Sequence, residues 1–450
     1  MKKFILWSLS ILCVCACMSL AGCGDNMTDN VSDKTSEVYF LTSQSEAADA
    51  YQELAQKYEN ETGVKVRIET VNADSYDKKL RDALKQTDAP TLFEITGHNQ
   101  YNQLDDYFLD IKDSKIYSML YDKSLAIGKD ESVFAIPYSV RGYGILYNND
   151  IMKKYFALSN KKSTLSSMEE VKNFDQLKII VEDMDNHRSE LGIDAVFATP
   201  ALAEGEDARY TMDLLNHPLS YEWENGGDDV RMTALKAGKI DFSYGDNYRG
   251  LFDLYTGHSA TDVKQLGTKT AADSTKEFAL GKVAMMQGDS RSWEQIKGVS
   301  GNVVKSEELR LLPLYTGIEG EEKRGLDIGV ERYIALNKKA SETAQKNSLD
   351  FLEWLFSSQT GKGYVSNQLN LHTPFNTFGE GDMPDVPLVS DVMNGLKNGM
   401  QSVMMAIDRV FPGDGYYRAV GTSLRNYAAG EEDWNSVKAT VTDRWSAAKD

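Results

Sequence analysis

The chain has 450 residues and a formal net charge of −19, with 68 acidic against 49 basic residues. That length accommodates two or three domains, each with its own core. So acidic a balance argues against nucleic acid and against electrostatic docking onto anionic lipid, and the composition is neither disordered nor collagen-like.

In chain order, the first segment reads as a targeting sequence. Lys2-Lys3 is a basic start, and Phe4 to Leu20 is an apolar run too short to span a bilayer comfortably. Leu20-Ala21-Gly22-Cys23 follows and resembles the lipobox of bacterial lipoproteins. It implies a signal peptide at 1–22, a lipid on Cys23 and a flexible polar tether at 23–37. All 4 cysteines (Cys13, Cys15, Cys17, Cys23) fall in this segment, so the rest of the chain has neither a disulfide nor a thiol nucleophile.

Val38-Tyr39-Phe40-Leu41 reads as a buried strand, followed by a helix with Tyr51, Leu54, Ala55 and Tyr58 on one face. Gly63 is placed to end that helix, and Ser43 and Glu46 have capping-box spacing at its start. Val64, Val66 and Ile68 alternate with charged residues as a half-buried strand. A second helix carries Tyr76, Leu80 and Leu84, and 91–95 supplies a third strand. Alternating strands and helices imply an α/β lobe on a parallel sheet. Its ligands would sit beyond the strand ends at Thr42-Ser43-Gln44 and Thr96-Gly97-His98-Asn99.

Residues 133–150 read as strand, interruption at Pro137, second strand, then a helix capped from Asn148-Asn149-Asp150. This is what a crossover between two lobes needs. A strand with a bulge at Gly142 or Gly144 is the ordinary alternative. Helix is expected at 174–184, strands at 195–198, 309–313 and 330–336, and within 278–289 a helix end, then a buried strand, then a loop. An amphipathic helix at 341–357 and a helical tail from about 391, with Trp434 and Trp445 docking inward, complete the chain. Trp354, Trp434 and Trp445 have core spacing, whereas Trp223, flanked by Glu222 and Glu224, is open to either role.

YQELAQKYENETGVKV (51–66), FAIPYSVRGYGILYNNDI (134–151), FALGKVAMMQGDSRSW (278–293) and GLDIGVERYIALN (325–337) stand in the order found in family 1 extracellular solute-binding proteins. The sequence resembles that family from Val38 to Trp445. The resemblance implies an α/β, two-lobed, type II periplasmic-binding-protein-like fold whose chain crosses between lobes three times. One lobe would be 38–139 plus 313–366, the other 144–312 plus 367–450. Hinges would lie at Ser139 to Gly144 and at Leu312-Pro313-Leu314.

The resemblance also implies a lipid-anchored receptor on the outer face of a bacterial cell membrane. It would be monomeric and would pass a carbohydrate, an oligosaccharide by expectation, to the transmembrane subunits of an ABC importer, without cofactor, metal or catalysis. A saccharide site needs an aromatic platform and paired planar polar groups. Family-matched candidates are Ser43, Gln44, His98, Asn99, Arg141, Tyr143, Arg209, Tyr210, Asp289, Ser290, Trp293 and Glu331. One departure stands out: Gly288-Asp289-Ser290-Arg291-Ser292 separates the glycine from Trp293, so Asp289 or Arg291 can take the place of the expected tryptophan.

The 5 histidines show no metal-ligand spacing, and the Asp183 segment lacks the glycine and final glutamate of a calcium loop. Neither a phosphate-cradling glycine loop nor a nucleophile elbow occurs. A surface glycoside hydrolase, needing two carboxylates on one bond, and a sensory binding protein feeding a membrane kinase remain open alternatives.

Overall fold

The computed structural model describes residues 36–224, 229–383, 387–407 and 412–449. The expected signal peptide, most of the tether and Cys23 lie outside these residues. No helix among the described residues is long and apolar enough to cross a membrane.

One ten-stranded mixed sheet runs through the molecule in the order β2-β1-β3-β9-β5-β7-β6, with β10 beside β9 and β4 and β8 beside β5. The strands are β1 (Val38–Thr42), β2 (Val66–Thr70), β3 (Leu92–Ile95), β4 (Ile127–Lys129), β5 (Ser132–Asn148), β6 (Ala195–Phe197), β7 (Val283–Asp289), β8 (Leu309–Leu312), β9 (Arg324–Leu336) and β10 (Gln401–Met404). β1 pairs in parallel with β2 and β3, as the alternating pattern requires, and β6 with β7. The long strands β5 and β9 are antiparallel to each other and join the two halves of the sheet.

Each half is covered on both faces, which is why its strands read as near-continuous apolar runs. On the first half, helix Ala48–Thr62 buries Tyr51, Leu54, Ala55 and Tyr58, and helix Glu342–Ser357 buries Phe351, Leu352, Leu355 and Phe356. They meet through Tyr58 and Phe351, edge to face at 5.1 Å. Helix Ala73–Ala83 packs Tyr76 and Leu80 on the opposite face. On the second half, Ile145, Tyr147 and Met285 pack with Leu177, Ile180 and Met184 of helix Phe174–Asn186. Trp434 and Trp445 of the last helix, Trp434–Lys449, join that core.

The crossing region differs from the sequence expectation. Pro137 does not interrupt the strand: β5 is continuous over 17 residues, because β9 runs alongside and pairs with it from Ala135 to Tyr143. Two irregularities accommodate the turn from one half to the other. Pro137 faces Tyr333, Ser139 faces Arg332 and Val140 faces Val330, so Tyr138 bulges from β5 and Glu331 from β9. The bulges thus fall at neither Gly142 nor Gly144. Gly144 instead makes room for a neighbouring strand, since a Cβ there would lie 2.2 Å from the Leu312 carbonyl oxygen and keep β8 away from β5.

Leu312 and Leu314, expected at a hinge, pack in the second-half core, and the return crossing is β9 itself. Leu369, Leu371, Phe375 and Phe378 pack in the first-half core, whereas Leu388 and Val389 pack in the second half. The third crossing therefore falls after Phe378. The tail, expected helical throughout, contains β10, paired in parallel with β9. Gly63 ends its helix in the left-handed conformation, φ 74°, as expected. Ser43 does not cap it, since its hydroxyl is taken by Glu94.

Candidate functional site

Where β5 and β9 pass between the halves, a cavity of about 320 Å³ opens. Ser43, Tyr76, Glu94 and Thr96 line it from the first half, and Arg141, Arg291, Glu331 and Arg332 from the crossing strands and the loop after β7. This is the position beyond the carboxyl ends of β1 and β3 where parallel sheets place ligands.

Glu94 organises the first wall. It is only 2% exposed, which an acid tolerates only with full hydrogen-bond compensation. Thr42 Oγ1 donates to Oε1 at 2.6 Å, and the Ser43 backbone N–H and hydroxyl donate to Oε2 at 2.7 and 2.6 Å. Tyr138 donates its hydroxyl to Oε1 as well. Gln44, at 2% exposure, is bound to Tyr51 (2.5 Å), Tyr138 (3.1 Å) and Glu94 (3.3 Å), so it braces this wall from behind. Burial, and then the Glu94 charge, hold the Tyr138 phenol well above its ordinary pKa, so it stays a neutral donor.

Glu331 organises the second wall. Arg141 Nη2 donates to its Oε1 at 2.5 Å, and Ser139 Oγ (2.8 Å) and Arg291 Nη2 donate to Oε2. Burial alone would raise the Glu331 pKa, but Arg141 and then Arg291 outweigh it and hold the carboxyl below its usual range. Arg141 also reaches Asp289 Oδ2 at 3.5 Å and lies 5.9 Å from the centre of the Tyr143 ring. Both bulges therefore aim their extra side chain at this region: Tyr138 to Glu94, and Glu331 to the arginines.

Nearby, residues Arg209–Leu214 form a stretch of π-helix running into helix Leu215–Trp223. Such wide turns are frequent at functional sites. From it Asp213 interacts with Asp289 and Arg141. Burial first, then the Asp289 charge, push its pKa up to about 7, against Arg209 and Arg141.

The sequence candidates separate into groups. Ser43, Arg141 and Glu331 line the cavity, with Asp289 and Tyr143 touching Arg141. Ser290 is buried and clips the loop to β5, its backbone N–H donating to the Gly142 carbonyl at 2.9 Å. Tyr210 is buried against Phe252 and Tyr255, in the second-half core. Arg209 is half-buried beside it. Trp293 packs, half-buried, against the apolar cluster containing Phe278 and Val389, away from the cavity lining. Trp223 is buried against Trp445, ring centres 5.3 Å apart.

His98 and Asn99 begin a short helix, His98–Gln103, outside the cavity lining. Asn99 is exposed and accepts from Gln103. His98 is buried 3.6 Å from Asp229. Burial first, then the adjacent Arg231, lower its pKa to about 3, so it is neutral. Arg231 itself extends from helix Val230–Lys236 to the carbonyls of Ser124, Leu125 and Ala126, at 2.9, 3.0 and 3.2 Å, and to the Tyr333 hydroxyl. His98 thus belongs to a contact between the two halves rather than to the cavity wall.

A sequence model of the bacterial extracellular solute-binding proteins matches residues 53–377. The chain belongs to that family. No curated protein sequence matches it. The structure of this solute-binding protein is similar to a family 1 extracellular solute-binding protein from Bifidobacterium longum subsp. infantis, with TM-score 0.65 and 13% identity over 91% of this chain and 99% of the other. It is similar to apo RafE from Streptococcus pneumoniae (0.64, 13%, 93% and 99%) and to RafE in complex with raffinose (0.56, 14%, 92% and 100%). The fold is the two-lobed α/β fold of these proteins.

Sequence reasoning missed Glu94, Tyr138, Asp213 and Arg332 in this solute-binding protein. The available signal for Glu94 was an acid inside the apolar run Leu92-Phe93-Glu94-Ile95. For Arg332 it was a second charge directly after Glu331 in a strand otherwise apolar from Tyr333 onward.

Proposed function

We propose that this solute-binding protein captures a saccharide in the cavity between its lobes and hands it to the membrane subunits of an ABC importer, without transforming it. The observation that carries the reading is the cavity's make-up. Two planar carboxylates and three planar guanidiniums converge on about 320 Å³, with Ser43 and Thr96 beside them. Such fixed donor and acceptor pairs suit vicinal hydroxyls of a sugar. Both lining carboxylates are occupied by donors, and Glu331 is held ionised by two arginines. Glycosidic cleavage instead needs one carboxyl kept protonated as general acid. The lobes close about the β5 and β9 crossings, driven by ligand contacts that both walls make only in the closed state.

A panel of neutral and acidic oligosaccharides in thermal-shift and calorimetric titrations tests this. A ligand at one hundred times its dissociation constant adds about 2.7 kcal/mol to stability, and small-angle scattering is expected to show compaction. The reading fails if no saccharide binds, and its non-enzymatic part fails if any saccharide is cleaved. Anchoring through a lipid on Cys23 is part of the proposal, and Cys23→Ser is expected to free the protein from membranes. A variant that stays membrane-bound after a high-salt wash removes the anchor from the scheme.

A further inference from the structure

Three guanidiniums and two carboxylates line the cavity, so in a chain of net charge −19 its wall carries a surplus of positive charge. Asp289, just outside the lining, offsets the charge of Arg141 but does not reach Arg332. That carboxylate is turned to the Arg291 backbone N–H at 2.7 Å and touches Arg141 at 3.5 Å. Arg141 and Arg291 are committed to Glu331 through their terminal nitrogens, while the Nε of each is buried without a partner.

Arg332 is the exception. It sits opposite Ser139 between the two bulges, half-buried, and lines the cavity. Among the described residues its side chain makes neither a hydrogen bond nor an ion pair. Its charge is felt by Glu94, Glu331 and Tyr138 only at longer range. Its nearness to the other two also shows at Arg291. Burial first lowers the Arg291 pKa, and Arg141 and Arg332 add to that while Glu331 and, less, Asp289 oppose it. Burial works against the Arg332 charge while Glu94 and Glu331 hold it ionised from a distance, so it is a standing cation without a direct partner.

We propose that the captured saccharide is acidic, a uronate-containing oligosaccharide whose single carboxylate is held by Arg332. This rests on the sugar-capture reading above and narrows it. The guanidinium fork matches a carboxylate through two parallel N–H donors, and such a charge-assisted pair is stronger than a hydroxyl contact. One guanidinium without a direct partner fits one carboxylate, whereas a phosphate at neutral pH brings nearly two negative charges beside Glu94 and Glu331. Discrimination follows from the same geometry: a neutral sugar offers the Arg332 fork no carboxylate to pair with directly.

The test pairs each of a set of uronate oligosaccharides (galacturonate, glucuronate-substituted xylose and guluronate oligomers) with its carboxyl-reduced, neutral form of identical stereochemistry. Calorimetry is run on the full protein and on Arg332→Gln and Arg332→Lys. At least one acidic member is expected to bind, and its reduced form to bind roughly 10- to 150-fold more weakly. Arg332→Gln erases that ratio while Arg332→Lys keeps part of it, and added salt weakens only the acidic member. Unchanged melting temperatures of the empty variants show that folding is intact. A reduced member binding as tightly as its acidic partner overturns this inference and leaves the sugar reading standing. Binding of neither series, alongside silence across the neutral panel, overturns both.

Discussion

Glu94 and Glu331 face the same cavity from opposite walls, yet they are held by different kinds of partner. Glu94 is surrounded by neutral donors, Thr42, Ser43, Gln44 and Tyr138, three of which follow one another at the end of β1. Glu331 is held by two guanidiniums, one from β5 and one from the loop after β7, plus the Ser139 hydroxyl. The first is a dry network belonging mainly to one lobe. The second is a charged junction between elements, with the Glu331 side chain 15% exposed. Neutral donors fix a wall permanently, since each costs free energy if left unpaired. Ion pairs at a wetter junction can exchange partners, which is what a wall that receives a ligand needs.

The largest expected effect breaks the first network. Glu94→Leu strips four side-chain donors of their acceptor, and urea unfolding is expected to show a loss of roughly 3 kcal/mol or more. A loss below about 1 kcal/mol would mean that water replaces the carboxylate and that this wall is not dry.

Next comes the junction. Glu331→Gln is expected to cost about 1–3 kcal/mol, because two half-buried guanidiniums lose their counter-charge. It also carries a pH signature. The folded pKa of Glu331 lies below the ordinary 4.5, so its contribution is fully present above that value and is lost as pH falls through the folded pKa. Wild type therefore loses stability on acidification below about pH 4.5 more steeply than Glu331→Gln. Parallel acid limbs for the two proteins would remove the ion pairs from the account.

Asp213 gives the smallest effect and the opposite sign. Its folded pKa, near 7, exceeds the ordinary 3.8, so between those values the folded state keeps a proton that the unfolded chain has released. Stability then falls as pH rises toward 7. Asp213→Asn is expected to remove that slope and to gain on the order of 1 kcal/mol at pH 8, after discounting for its partly open side. A carboxyl signal of Asp213 that titrates near 4 in NMR would contradict it.

How legible this was in the sequence depends on the kind of information each residue carries. β1, β2, β3 and their helices were readable from period and burial, because Tyr51, Leu54 and Tyr58, or Val66 and Ile68, report only which face is apolar. The crossing stretch was readable as a crossing, but Pro137 suggested a break. Its missing donor is harmless where the register is already irregular beside Tyr138. Arg141 and Glu331 were found through family position. Glu94 was not, since a strand pattern treats an isolated acid as facing solvent, and only the end of β1 arriving beside it in space makes it buried. Trp293 shows the converse: it sits close in sequence to the site loop, while its side chain packs against the apolar cluster that contains Phe278 and Val389.

The paired bulges on β5 and β9 behave like a compensated frameshift. Ala135 faces Ala335 before them and Arg141 faces Gly329 after them, in one unbroken reading frame, because each strand carries one extra residue at the crossing. Removing Tyr138 alone, or Glu331 alone, would put everything beyond the crossing out of frame and turn its apolar faces outward. Removing both would restore the frame while erasing the two side chains that organise the walls. The length of this crossing is thus fixed by the fold even where its residue identities are free to change, and ligand preference can drift by substitution here but not by insertion or deletion on a single strand.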